Sequence, residues 1–215
     1  SVDALVVHDG SIIAATRESV LASQDGTNWS EVGRLDAGAV VEEITSFRGS
    51  LVARGGIYVD EPDGSRAVTA SLWVSADNGA TWEPALPGEL VRDVVATPDE
   101  LVAVGWIEEA PIDERRLLRA SVWRSADGQD WELAWTHEAG PQESSQADGA
   151  YWDDGLIVIG DRGPNPFTEG AGVMHEAPWE DVVWTGTSAT ELVLDGTATI
   201  AGNFQDMFST QLGHF

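Results

Sequence analysis

Apolar positions in this chain come in short runs, many alternating with polar ones, and Gly, Pro, Asn and Asp break the runs at close intervals. That is the pattern of short β-strands joined by turns. Val2–His8 alternates, Ser11–Thr16 is apolar, Ser19–Ser23 leads into a turn and Trp29–Val32 leaves it. Asp9-Gly10 and Asp25-Gly26 separate these runs. A second group follows: Val41–Phe47, Leu51–Ala53, Ala67–Ser75 and Trp82–Ala85, with Arg48-Gly49 inside the first pair and a long connection over Gly55–Arg66. A third group has Val91–Thr97 and Leu101–Trp106 across Pro98-Asp99, then Leu117–Ser125 and Trp131–Trp135, with a charged connection over Ile107–Arg116.

One turn recurs in these groups. It reads Ser23-Gln24-Asp25-Gly26-Thr27-Asn28-Trp29, then Ser75-Ala76-Asp77-Asn78-Gly79-Ala80-Thr81-Trp82, then Ser125-Ala126-Asp127-Gly128-Gln129-Asp130-Trp131. The Asp carboxylate suits a turn in which it accepts backbone N–H groups just downstream. The Gly supplies a positive φ without steric cost, and the Trp opens the next strand with a large apolar ring. A period of about fifty residues, with four strands in each period, predicts an all-β propeller of four-stranded antiparallel blades. The expected blades cover 1–33, 40–86, 91–136, 144–184 and 186–215, five in a single domain with the last incomplete.

In the fourth unit, Ala150–Trp152 and Leu156–Ile159 flank Asp153-Asp154-Gly155, and Asp161–Gly172 is a Gly/Pro-rich insert. Trp179 reads as the surviving turn Trp, which puts Val173 in place of the Ser. The fifth unit is read as Thr190–Leu194 and Thr197–Ala201 for an inner pair and Phe208–Phe215 for a third strand.

The repeated turn resembles the Asp-box, or bacterial neuraminidase repeat, of sialidase-like, sortilin-type and photosystem-assembly-factor-type propellers. The resemblance is close over residues 1–135 and loose beyond. It implies structural roles for Ser23, Asp25, Gly26, Trp29, Ser75, Asp77, Gly79, Trp82, Ser125, Asp127, Gly128 and Trp131, because such boxes lie away from the catalytic face. As large apolar rings opening a strand, Trp29, Trp82 and Trp131 are expected to be mostly buried at equivalent places.

Composition narrows the partners. The net charge is −26 over 215 residues, and the eleven basic residues are all Arg. Such a field repels nucleic acid and anionic membranes. No apolar run reaches the ~20 residues of a spanning helix, so membrane insertion is not expected. With no cysteine, disulfides, thiol nucleophiles and Cys-based zinc sites are excluded. His8, His137, His175 and His214 are scattered without metal-ligand spacing, and neither a metal nor a cofactor is expected.

In a propeller the box turns lie on one face and the connections between second and third strands on the other. The inserts at 55–66, 107–116 and 161–172 fall on that opposite face. There Arg17, Tyr58, Asp60, Trp106, Glu108, Arg162 and Asn203 are candidate binding residues for a protein or glycan ligand. Arg17, Trp106, Asp161 and Asn203 stand near equivalent ends of second strands, around the central opening.

Sialidases hold a carboxylate with an arginine cluster and use a Tyr nucleophile. No Arg-Ile-Pro stretch occurs here, and the two tyrosines are Tyr58 and Tyr151. No catalytic residue therefore carries over. The expected function is a non-catalytic binding or scaffolding propeller, outside the cell or on its surface. The alternatives are a sialidase-like glycan hydrolase, or one subunit of an assembly joined through the C-terminal edge strand as a homo-oligomer or larger complex.

Overall fold

The computed structural model describes residues 2–197 apart from 17–18, 37, 61–65, 69–71, 87–88, 113–114, 139, 141–142 and 165–178. The described residues are all-β. The first blade is β1 (Ala4–His8), β2 (Ser11–Ala15), β3 (Val20–Ser23) and β4 (Ser30–Gly33). The second is β5 (Ala39–Phe47), β6 (Ser50–Asp60), β8 (Leu72–Ser75) and β9 (Glu83–Ala85), with β7 (Arg66–Val68) paired to the far end of β6. The third is β10 (Leu90–Ala96), β11 (Leu101–Ile112), β12 (Arg115–Ser125) and β13 (Glu132–Thr136). The fourth is β14 (Glu143–Trp152), β15 (Leu156–Pro164), β16 (Glu180–Gly186) and β17 (Val193–Thr197). Each blade is a consecutive antiparallel meander. The first strands of neighbouring blades lie beside one another, so they are the innermost. This is the propeller architecture that the repeat predicts.

Register shows which positions repeat. Ile12, Leu51, Leu101 and Leu156 lie opposite Ser23, Ser75, Ser125 and Gly186. Gly186 thus stands where the box Ser stands, and the eroded fourth box is Gly186–Leu192 rather than Val173–Trp179. Trp179 precedes the third strand instead of following it. The expected inner pair of a fifth unit is corrected for the same reason. Val193–Thr197 pairs with β16 as the outermost strand of the fourth blade. Residues 186–197 therefore belong to that blade, and 198–215 lie outside the described residues.

Three apolar cores join the blades in series. Ile13, Val20, Val41, Leu51 and Trp73 fuse the first and second. Val52, Leu72, Leu101 and Trp123 fuse the second and third. Val102, Val122, Leu156, Val182 and Trp184 fuse the third and fourth. The buried anchors are Trp73 (0% exposed), Trp123 (3%) and Trp184 (0%). Each lies two residues before the box Ser or its Gly186 counterpart. The sequence carries this signal as Trp-x-Ser-x-Asp, one strand before Trp82 and Trp131. Trp82 and Trp131 are half-buried against the cores, and Trp29 is 39% exposed. The expectation of three buried box rings is corrected accordingly. A box ring covers the face toward the preceding blade, and the first blade has no such neighbour among the described residues.

Where they are described, the inserts are strand. β6 continues to Asp60 and pairs with β7, and β11 and β12 pair out to Ile112 and Arg115. Backbone groups in these extensions are satisfied by a ladder, so they stand as hairpins rather than open loops.

Candidate functional site

The three boxes are built alike. Ser23 Oγ accepts the N–H of Gly26 at 2.9 Å, Ser75 Oγ that of Gly79 at 2.9 Å, and Ser125 Oγ that of Gly128 at 2.8 Å. Asp25 Oδ1 accepts the N–H groups of Thr27 and Asn28, and Asp127 Oδ1 those of Gln129 and Asp130. Asp77 takes the N–H of Thr81 at 2.8 Å and its hydroxyl at 2.6 Å. These bonds hold all three carboxyls below the usual carboxylate range. Each box Trp returns its indole N–H to the box Gly carbonyl, at 3.1, 3.0 and 2.8 Å. Gly26, Gly79 and Gly128 all have positive φ. A Cβ on Gly79 would lie 3.1 Å from Val20, and one on Gly128 3.1 Å from Val52, each in the preceding blade. The box acceptors are thus occupied by their own turns. A polar cavity of about 360 Å³ beside the first box, lined by Ser11, Asp25 and Asn28 among others, borders groups already spent in this way.

The convergent polar groups lie elsewhere, on the two inner strands. The innermost strands bulge at Val41/Glu43, Val91/Asp93 and Ala147/Gly149. Opposite each bulge the second strand carries a glycine, Gly55, Gly105 or Gly160. A Cβ on any of them would fall 1.9 Å from the inner strand's carbonyl oxygen. The bulge turns an extra side chain off the ladder: Glu42, Arg92 and Asp148.

Two clusters result. Arg54 pairs with Glu42 at 2.6 Å and Glu43 at 3.0 Å. Glu43 in turn hydrogen-bonds Asp93, whose oxygens accept the N–H groups of Val94 at 2.8 Å and Ala150 at 2.9 Å. Burial raises the pKa of both acids. This cluster ties the second, third and fourth blades together.

The second cluster is open. Arg92 lies 5.7 Å from the Trp106 ring centre, with its guanidinium over the ring, and 3.8 Å from Asp148. Asp148 hydrogen-bonds Asp161, and Asp161 stands directly across from Asp181 in the β15–β16 ladder. Like charges so placed repel. Burial first, then the charges of Asp148 and Asp181, push Asp161 up to about 6. Burial also raises Asp148. Asp161 Oδ1 is buried and meets no hydrogen-bond partner among the described residues.

Of the predicted site residues, Trp106 and Asp161 are joined through Arg92 and Asp148. Arg162, next in the chain, is drawn to Glu180 at 3.3 Å and Glu143 at 3.8 Å. Glu108 is exposed on the β11 extension. Tyr58 and Asp60 lie on the β6 extension, opposite Val68 and Arg66. Arg17 and Asn203 lie outside the described residues. Sequence reasoning missed Arg92, Asp148 and Asp181. The recurring Gly on the second strand could have pointed to the bulges.

No family model and no curated protein matches this chain. Among solved structures it is similar to the α-L-arabinanase of Penicillium chrysogenum complexed with arabinobiose, at 12% identity and a TM-score of 0.49, over 92% of this chain and 66% of that one. It is similar also to the GH93 α-L-arabinofuranosidase of Fusarium graminearum, likewise with arabinobiose, at 12% and 0.49, over 89% and 64%. The N-terminal domain of Nup159 is a third, at 10% and 0.47, over 86% and 45%. The chain spans about two thirds or less of the length of these three proteins. At such identities and TM-scores no activity passes to this chain, and its propeller architecture rests on the blades themselves.

Proposed function

We propose that the chain is a glycan-binding propeller, outside the cell or on its surface, and that Arg92, Trp106, Asp148, Asp161 and Asp181 form its binding site. The observation that carries this reading is the buried Oδ1 of Asp161, without a hydrogen-bond partner among the described residues, beside Asp148. Asp161 donates its one proton to Asp148, which leaves Asp161 Oδ1 and the remaining Asp148 lone pairs as acceptors in a small space, and these suit the donors of neighbouring sugar hydroxyls. The Trp106 indole supplies apolar area beside the Arg92 guanidinium that lies over it, and Arg92 offers a directed donor. Three carboxyls against the Arg92 guanidinium disfavour an acidic sugar, so the ligand class is a neutral glycan. The sialidase-like character suggested by the boxes then extends to architecture and not to substrate.

A second reading is favoured by the position of Asp161 near 6. An acid that stays protonated near neutrality is what a glycosidic leaving oxygen needs, with a second carboxylate to complete the reaction. Asp161 would then be the proton donor of a glycan hydrolase.

Titration calorimetry against neutral and acidic oligosaccharides, arabinobiose included, tests the binding reading. Neutral sugars should bind, and Trp106→Ala and Asp161→Ala should lose binding while unfolding cooperatively. Failure of every neutral sugar, or binding that survives both substitutions, ends that reading. Release of reducing ends by the wild type, abolished in Asp161→Asn, would convert it to the hydrolase.

A further inference from the structure

Behind each bulge the innermost strand repeats one position. Glu43, Asp93 and Gly149 hold it, across from Arg54, Val104 and Ile159 on their second strands. Gly149 brings no side chain. Asp93 reaches into the space beside it: its Oδ2 would lie 3.6 Å from a Cβ there, and it accepts the N–H of Ala150 at 2.9 Å. Its Oδ1 accepts the N–H of Val94 at 2.8 Å. One carboxyl therefore pins the bulge of the third blade and the bulge of the fourth. Those bulges turn out Arg92, one residue before Asp93, and Asp148, two before Ala150. The 3.8 Å approach of Arg92 to Asp148 is thus set from behind by Asp93.

Asp93 is held in its turn. Glu43 hydrogen-bonds it, and a bond between two carboxyls requires a proton on one of them. Arg54 fixes Glu43 from the other side at 3.0 Å and is itself paired with Glu42 at 2.6 Å. Arg54 from β6 and Glu42 from β5 are the charges that face the pair. Arg92 on β10 and Asp148 on β14 flank it, whereas β11 and β15 place Val104 and Ile159 opposite. Were both carboxyls ionised, Arg54 would keep Glu43, and the repulsion would fall on Asp93. We infer, resting on the glycan-site reading for the ligand alone, that Glu43 and Asp93 are positioning residues: one proton held between their carboxyls keeps Arg92 and Asp148 aligned for the ligand, and its loss releases them. Burial, and for Glu43 the charge of Asp93 next, raises both acids. The proton is therefore held past the usual carboxylate range and leaves as pH rises, and affinity falls with it.

Proton–nitrogen NMR of the full chain, from about pH 5 to 9, reads this latch without a ligand. The Ala150 N–H and the Arg92 Nε–H should share a titration step. Glu43→Gln, whose amide donates to Asp93 and has no proton to lose in this range, should abolish that step, and Asp161→Asn should keep it at Ala150. Calorimetry with the same neutral oligosaccharides over the same range reads the site. Wild-type affinity should fall about tenfold across the step, the scale of one hydrogen bond, while Glu43→Gln holds its affinity there. Urea unfolding confirms that Glu43→Gln is folded, and Glu43→Ala, which also removes the repulsion, takes its place if it is not. No step at Ala150, a step that survives in Glu43→Gln, or a step at Ala150 that Arg92 does not follow overturns the inference. So does a sugar affinity that ignores the step, an outcome that leaves the glycan reading standing. A step shared by Ala150 and Arg92 in a chain that binds none of the sugars supports the latch and ends the glycan reading instead.

Discussion

Asp93 of the third blade accepts the backbone N–H of Ala150 in the fourth at 2.9 Å. The same carboxyl takes a hydrogen bond from Glu43 of the second blade, so one side chain touches three blades beside the axis. Apolar packing between blades can slide, whereas a hydrogen bond has one geometry. Asp93→Ala leaves the Ala150 N–H and the Glu43 carboxyl without this partner. The expected loss is about 1–3 kcal/mol, read as a lower urea midpoint. A midpoint unchanged from wild type would show that the contact does not hold the blades.

Trp73 and Trp29 should differ sharply. Trp73 is fully buried between the first two blades, and Trp29 stands partly in solvent. Trp73→Ala should destabilise by about 3–5 kcal/mol, the range for large buried aromatics. Trp29→Ala should cost well under half as much. Equal losses in thermal unfolding would mean that the first blade is covered after all in the free chain.

Asp77→Ala should cost stability and leave binding alone. The carboxyl holds the Thr81 N–H and hydroxyl and accepts from Ser75, but the turn is exposed. Water therefore replaces part of what is lost, and about 1 kcal/mol is expected. Because its folded pKa is lowered, Asp77 stabilises the fold above the unfolded pKa, and this contribution fades as pH falls through the folded one. If glycan affinity dropped while the melting temperature held, the box would be part of the site.

Asp161 has the opposite sign. Unfolded, an Asp titrates near ~3.9, and in the folded chain Asp161 is raised to about 6. Between those values the folded state holds the extra proton, so stability falls as pH rises from about 4 to 6 and then levels off. Asp161→Asn removes this dependence. Above pH ~6 the variant should exceed the wild type by about 1–2 kcal/mol, allowing for partial exposure. Urea midpoints at pH 4.5 and 7.5 check it: parallel wild-type and variant values would place the proton elsewhere.

The sequence by itself determined the blades. Alternation, turn residues and a repeat near fifty identify four-stranded units because each depends on neighbours in the chain: a period of two, a positive φ, an Asp accepting N–H groups two to four residues on. The box turns could be read for the same reason, down to the shared roles of Asp25, Asp77 and Asp127. Tertiary structure decided which rings are buried, because burial depends on the blade alongside. Trp73 and Trp29 differ in whether a blade lies over them. It decided the fourth blade's boundary, since Val193–Thr197 reads as any short strand until β16 pairs with it. It also decided the site. Arg92 and Asp148 are some fifty residues apart and meet because two bulges at equivalent places face one axis. Asp161 is pushed up because it is buried and because Asp148 and Asp181 converge on it across three strands. Such a meeting is set by register and blade packing, which no local pattern records.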